Sequence, residues 1–145
     1  GKEGKGAIKM AHKGPRDIRT YPALFTRDGG QIAVEFPDLP GCVTCADTED
    51  LAMGRAREAL EGFLYYMEQD DDPIPAPTPF DQVKAEPGQA VSLISVRMDI
   101  VREEERNRSI TKSVTVPAWL NKMAIEAKIN FSNVLQEGLK DRLGV

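Results

Sequence analysis

At 145 residues, 41% of them apolar and 29% charged, the chain has a globular composition and the length for one ordinary domain or two small ones. No run approaches the roughly 20 apolar residues needed to span a bilayer, and Lys2, Lys5 and Lys9 precede no apolar core of a secretory signal. A membrane protein is thereby excluded as an expectation, the two cysteines (Cys42 and Cys45) do not make a disulfide framework, and the expected setting is a reducing cytoplasm.

The net charge of −4 is unevenly spread. Residues 20–80 carry three basic against twelve acidic side chains, whereas residues 106–145 carry seven basic against three acidic. The first block repels nucleic acid and attracts a basic partner; the second does the reverse. Two different binding surfaces on one chain are expected.

Residues 1–19, rich in Gly and Lys with no apolar period, read as a mobile arm. Their composition also fits residues added ahead of a native start. Order is expected from Tyr21. Tyr21-Pro-Ala-Leu-Phe25 and Ile32-Ala-Val-Glu-Phe36 read as strands around Arg27-Asp-Gly-Gly30, where glycine supplies the positive φ of a tight hairpin. Pro37-Asp-Leu-Pro-Gly41 must reverse the chain into a third strand at residues 42–45. Asp47, with Asp50 three residues on, is the expected cap of a helix whose apolar face is Ala52, Ala56, Ala59, Leu60, Phe63, Leu64 and Met67. That helix ends at Asp70-Asp-Asp-Pro73, ahead of a proline-rich stretch incompatible with helix or central strand. Residues 91–100 give a fourth strand, so residues 20–100 predict a β-β-β-α-β domain of the α+β class. The charged residues 101–109 are expected to be a solvated linker.

From residue 110 the pattern changes. Thr111-Lys-Ser-Val-Thr-Val116 alternates as a strand, and Pro117 opens a helix carrying Leu120, Met123, Ala124 and Ala127. Ser132 is placed to cap a second helix with Val134, Leu135, Leu139 and Leu143 on one face. A strand and two short helices in about 35 residues cannot pair their own backbone or close a core. Two copies joined through an antiparallel ribbon, a ribbon-helix-helix (β-α-α) dimer, solve both problems. Val114 and Val116 then face the helices, and Thr111, Ser113 and Thr115 face outward to base edges in a major groove. Arg108 and Lys112 are placed for phosphates, as are the amides of Ser132 and Asn133 at a helix N-terminus. A tail that merely caps the first domain, or dimerises without DNA, is the alternative.

Lys112-Ser-Val-Thr-Val-Pro-Ala-Trp-Leu-Asn-Lys-Met123 and Asn130-Phe-Ser-Asn-Val-Leu-Gln136 resemble the C-terminal ribbon-helix-helix of HicB antitoxins. Tyr21-Pro-Ala-Leu-Phe25, Phe36-Pro-Asp-Leu-Pro-Gly-Cys-Val-Thr44, Asp47-Thr48, Glu58-Ala-Leu60 and Ile74-Pro-Ala-Pro77 resemble that family's N-terminal domain, so the likeness covers about residues 20–143. Met53-Gly54 departs from the larger or more helix-favouring residues expected there. The resemblance implies a truncated RNase H-like N-terminal fold that binds and blocks HicA, a small basic mRNA-cleaving toxin. It also implies that the C-terminal domain represses its own operon by binding promoter DNA as a dimer or higher oligomer. Glu35, Phe36, Asp38 and Leu39 are the expected toxin contacts.

An RNase H-like fold raises metal-dependent nuclease activity as a competing class, with Glu35, Asp38 and Asp47 as carboxylates. Asp47 is better used as a cap, and an acidic partner-binding surface accounts for the others. Cys42 and Cys45 have zinc-like spacing, but residues three apart on a strand point to opposite faces, and the sole histidine, His12, lies in the arm. No catalytic residue, cofactor, metal or small-molecule substrate is expected.

Overall fold

The computed structural model describes residues 15–145 in two units, the first ending at Arg108 and the second running Ser109–Val145. Most of residues 1–19, the expected arm, lies outside the described residues. Its last part does not behave as an arm, because strand β1 (Ile18–Asp28) begins at Ile18.

β1 turns through Gly29 and Gly30 into β2 (Gln31–Glu35), with Asp28 opposite Gln31. Gly29 has φ +62°, a conformation that glycine adopts without a Cβ penalty. The proline-rich reversal then makes its own backbone bonds. The Leu39 amide donates to the Phe36 carbonyl, the Cys42 amide to the Leu39 carbonyl and the Phe36 amide to the Cys42 carbonyl, at 2.9–3.1 Å. β3 (Val43–Ala46) and β4 (Gln89–Arg97) complete an antiparallel sheet of order β3-β2-β1-β4.

Helix α1 (Glu49–Gln69) covers one face of that sheet. Ala52, Ala56, Leu60 and Leu64, spaced four apart, are its buried stripe, and they pack with Tyr21, Ala23, Ile32, Val34, Ala46 and Ile94. Its cap is Thr48, whose hydroxyl accepts the Leu51 amide at 3.2 Å, and not Asp47, which instead accepts from the Gln31 side chain. Thr48 thereby satisfies one of the orphan amides of the first turn. Met53-Gly54 does not interrupt the helix; Met53 is exposed and a Cβ at Gly54 would meet no atom within 4 Å. After α1 the proline-rich stretch is fastened at two points. The Tyr21 hydroxyl donates to the Pro75 carbonyl at 2.6 Å, and the Thr78 amide and hydroxyl donate to the Asp38 carboxylate.

The expected fourth strand and linker are corrected here. β4 stops at Arg97, and residues 98–107, expected as strand end and solvated linker, form helix α2 (Met98–Asn107). Met98 and Val101 are in the core, so the charged sequence conceals an apolar face. Ion pairs hold α2 down. Arg102 binds Glu68 through two nitrogens at 2.9 and 2.7 Å and Asp17 at 2.6 Å, while Arg97 binds Asp99 at 2.9 and 2.6 Å. Hydrogen bonds from Arg19 and Arg102 hold the Asp17 carboxyl below its ordinary value. Arg102 does the same for Glu68, and Arg97 for Asp99.

These three carboxylates therefore bind protons less readily folded than unfolded. Their stabilisation is complete above the ordinary values of 3.8 and 4.5 and is lost as pH falls through the depressed folded values. Arg102→Ala is expected to cost about 1–2 kcal/mol at neutral pH, since it strips two partly exposed carboxylates of charged hydrogen bonds. It should also flatten the acid limb of a denaturation series run from pH 7 to pH 3. An unchanged acid limb in the variant would remove this cluster as its cause.

The second unit contains helix α3 (Ala118–Glu126) and helix α4 (Phe131–Leu143). Pro117, which has no amide to leave unpaired, precedes α3. α3 stops at Glu126, one residue short of the expected Ala127. Lys128 takes φ +57°, its amide donates to the Ile125 carbonyl and the Ile129 amide to the Ala124 carbonyl, which closes the helix end. The cap of α4 is Asn130, whose side chain accepts the Asn133 amide at 3.0 Å, and not Ser132. Gly144, at φ +74°, ends the helix.

Candidate protein and nucleic-acid interfaces

Strand alternation sorts the sheet into two faces. Tyr21, Ala23, Ile32, Val34, Ala46 and Ile94 look toward α1. Glu35 lies on the opposite face, in register with Leu24 of β1 and Val43 of β3, and is exposed. The other expected partner contacts are placed differently. Phe36 is 2% exposed and Leu39 1%, both in the core cluster, so they support the fold and offer no surface to a partner. The turn directs them inward because each of its internal hydrogen bonds involves the backbone of Phe36, Leu39 or Cys42. Asp38 is half-buried and holds Thr78. Of the four, Glu35 alone is exposed.

Two of the three carboxylates weighed for metal chemistry have separate partners. Asp38 accepts from Thr78 and Asp47 from Gln31, and among the described residues no group of three or more His, Cys, Asp or Glu is arranged to hold a metal ion. Cys42 is buried, with its thiol directed at the Ala59 carbonyl at 3.6 Å and its pKa pushed up to about 11 by burial. Cys45 is exposed on β3, and both thiols are free. A buried thiol of raised pKa is a poor nucleophile.

A second acidic surface escaped the sequence reading. α1 and α2 enclose a groove lined by Glu58, Glu61, Tyr65, Tyr66, Glu104 and Glu105. Burial raises the Glu61 pKa, and Glu104 opposite raises it further. The acidic tally of residues 20–80 hinted at it, but its other half comes from α2, which read as linker.

In the second unit, residues 109–117 have no regular secondary structure and form no ladder with any described strand. The expected strand is thus absent from the single chain, where its backbone has no partner. Thr111, Ser113 and Thr115 are exposed, as are Val114 and Val116. Lys112, Ser132 and Asn133 are exposed too, but the Asn133 amide is occupied by Asn130, which leaves the Ser132 amide at that helix end. Arg108 closes α2 of the first unit and pairs with Glu105 at 3.3 Å. No residue of the second unit is buried, and fourteen large apolar side chains are exposed there, from Ile110 to Val145. A 37-residue unit cannot be stable with its whole apolar content in water.

No described helix is long and apolar enough to cross a membrane. The fold is similar to that of a chain in a toxin–antitoxin complex from Streptococcus pneumoniae, with a TM-score of 0.55 and 24% identity, over 87% of this chain and 99% of that one. In sequence, the chain is 29% identical over 100 residues to an uncharacterized 14.9 kDa protein of Haemophilus phage HP1, covering 69% of this chain and 74% of the phage protein. It is 41% identical over 59 residues to antitoxin HicB 2 of Photorhabdus laumondii, a match spanning 40% of this chain and 42% of that antitoxin. The profile of one family, the HicB-like antitoxins of bacterial toxin–antitoxin systems, matches residues 21–138. That match covers most of the first unit, the first tail helix and the start of the second, and the chain belongs to the HicB-like antitoxin family.

Proposed function

We propose that this antitoxin neutralises a small, basic, HicA-like mRNA-cleaving toxin by direct binding through its first unit, a truncated RNase H-like domain. As a dimer it represses its own operon by gripping promoter DNA with a ribbon-helix-helix built from residues 110–145. It acts in the cytoplasm, without catalysis of its own. The observation that carries the regulatory half is the tail with no buried residue, whose fourteen exposed apolar side chains a second copy would cover. Pairing two copies of residues 111–116 also gives an unpaired backbone its ladder. Seven basic against three acidic residues in 106–145 suit phosphate neutralisation. Thr111, Ser113 and Thr115 meet base edges, while Lys112, Arg108, the Ser132 amide and the Asn133 side chain meet phosphates.

Ser113→Ala and Thr115→Ala are each expected to weaken operator binding by about 1–3 kcal/mol if each makes one base contact. An electrophoretic shift titration with the chain's own promoter measures this. A double variant that binds as tightly as the parent, or binding that is indifferent to salt, overturns ribbon readout. The toxin half is tested by co-purifying the chain with the small basic protein encoded beside its gene.

A further inference from the structure

The sheet face turned away from α1 carries an apolar row with the Glu35 carboxylate in it; Thr26, Asp28, Gln31 and Gln89 lie on the same face toward the hairpin, and Thr20 and Ser95 toward the other end. Register places Val43, Glu35, Leu24 and Val91 side by side across all four strands, with Leu93 next along β4 opposite Pro22. Val43 is 60% exposed and Leu93 51%; Leu24 is buried although it lies outside the main core cluster. The Glu35 carboxylate has no hydrogen-bond or ion-pair partner among the described residues. The cation on that face, Arg97, is tied to Asp99 at 2.6 Å and sits at the far end of β4.

We infer that this open face, centred on Glu35, is the docking surface for the basic toxin, an assignment that rests on the antitoxin reading above. A second copy fits it poorly. Two-fold packing of the face on itself brings two unpaired carboxylates together in a desolvated setting, where like charges repel strongly. A basic protein supplies what the face lacks, a Lys or Arg against Glu35 ringed by apolar contacts with Val43, Val91 and Leu93. That is the arrangement of a binding hot spot, a charge pair shielded from water by its neighbours. The acidic groove between α1 and α2 is the rival surface for the same partner.

The test uses the full chain and, as probe, the small basic protein encoded beside its gene, with affinity measured by titration calorimetry. Glu35→Lys should weaken binding at least about 30-fold, the range seen when one partner of a buried interfacial charge pair is lost. Leu93→Asp should do the same, while Glu58→Lys with Glu104→Lys in the groove changes affinity less than about threefold by screened, long-range charge alone. Unchanged tyrosine spectra in each variant establish that the first unit is folded. Tight binding that survives Glu35→Lys and Leu93→Asp but is lost in the groove variants overturns this assignment and leaves the antitoxin reading standing. If the parent chain does not bind the probe at all, the antitoxin reading fails and this assignment with it.

Discussion

Leu60→Ala is expected to destabilise the first unit by about 2–5 kcal/mol, the cost of removing a fully buried leucine from a packed core. Leu60 is 0% exposed and sits midway along the buried stripe of α1, against the sheet. The loss has two parts, the transfer energy of the deleted methyl groups and the cavity left by neighbours that cannot all collapse into it. All three tyrosines (Tyr21, Tyr65 and Tyr66) belong to the first unit, and the one tryptophan, Trp119, belongs to the second. Urea denaturation of the full chain followed by both signals therefore separates the units. The tyrosine transition should move to lower denaturant, and the tryptophan transition should stay in place. A Leu60→Ala chain whose tyrosine midpoint is unmoved contradicts the assigned core.

Leu135→Glu is expected to raise the dimer dissociation constant at least about 100-fold and to abolish operator binding at concentrations where the parent is saturated. Leu135 is 40% exposed in the single chain, so a glutamate there is nearly neutral for a monomer. In a two-fold dimer the same change buries two unpaired carboxylates, and each one costs several kcal/mol or must be protonated. The opposed expectations make the substitution informative. Sedimentation across a concentration series reads dimerisation directly. A variant as dimeric as its parent removes α4 from the interface.

What was legible in the sequence is what depends on neighbours along the chain. The stripe Ala52, Ala56, Leu60 and Leu64 announces α1 by its period, and Asp28-Gly29-Gly30 announces the first hairpin by its backbone demands. Caps were missed by one or two residues because Asp47 and Thr48, or Asn130 and Ser132, are chemically equivalent candidates that only the helix register separates. Phe36 and Leu39 were misplaced because a proline- and glycine-rich turn reads as surface. This turn instead satisfies its own amides and inserts its side chains in the core. α2 was hidden for a different reason. Val101 lies next to the run Arg102-Glu-Glu-Glu-Arg106, which looks solvated until Asp17 and Glu68, distant in sequence, supply its partners. Of the candidate sites, Glu35 was identifiable from strand alternation, but the apolar row around it depends on strand register. The tail was readable only as a pattern, since a ribbon becomes a strand pair only when a second chain is present.

The most direct test is the sedimentation-equilibrium mass of the full chain at micromolar concentration without DNA. The 16.0 kDa chain is expected to sediment at twice its own mass, or at an even multiple of it. A particle of one chain mass, with Trp119 shielded from quenchers as in a folded tail, would contradict the account, because residues 109–145 would then have found cover without a second copy.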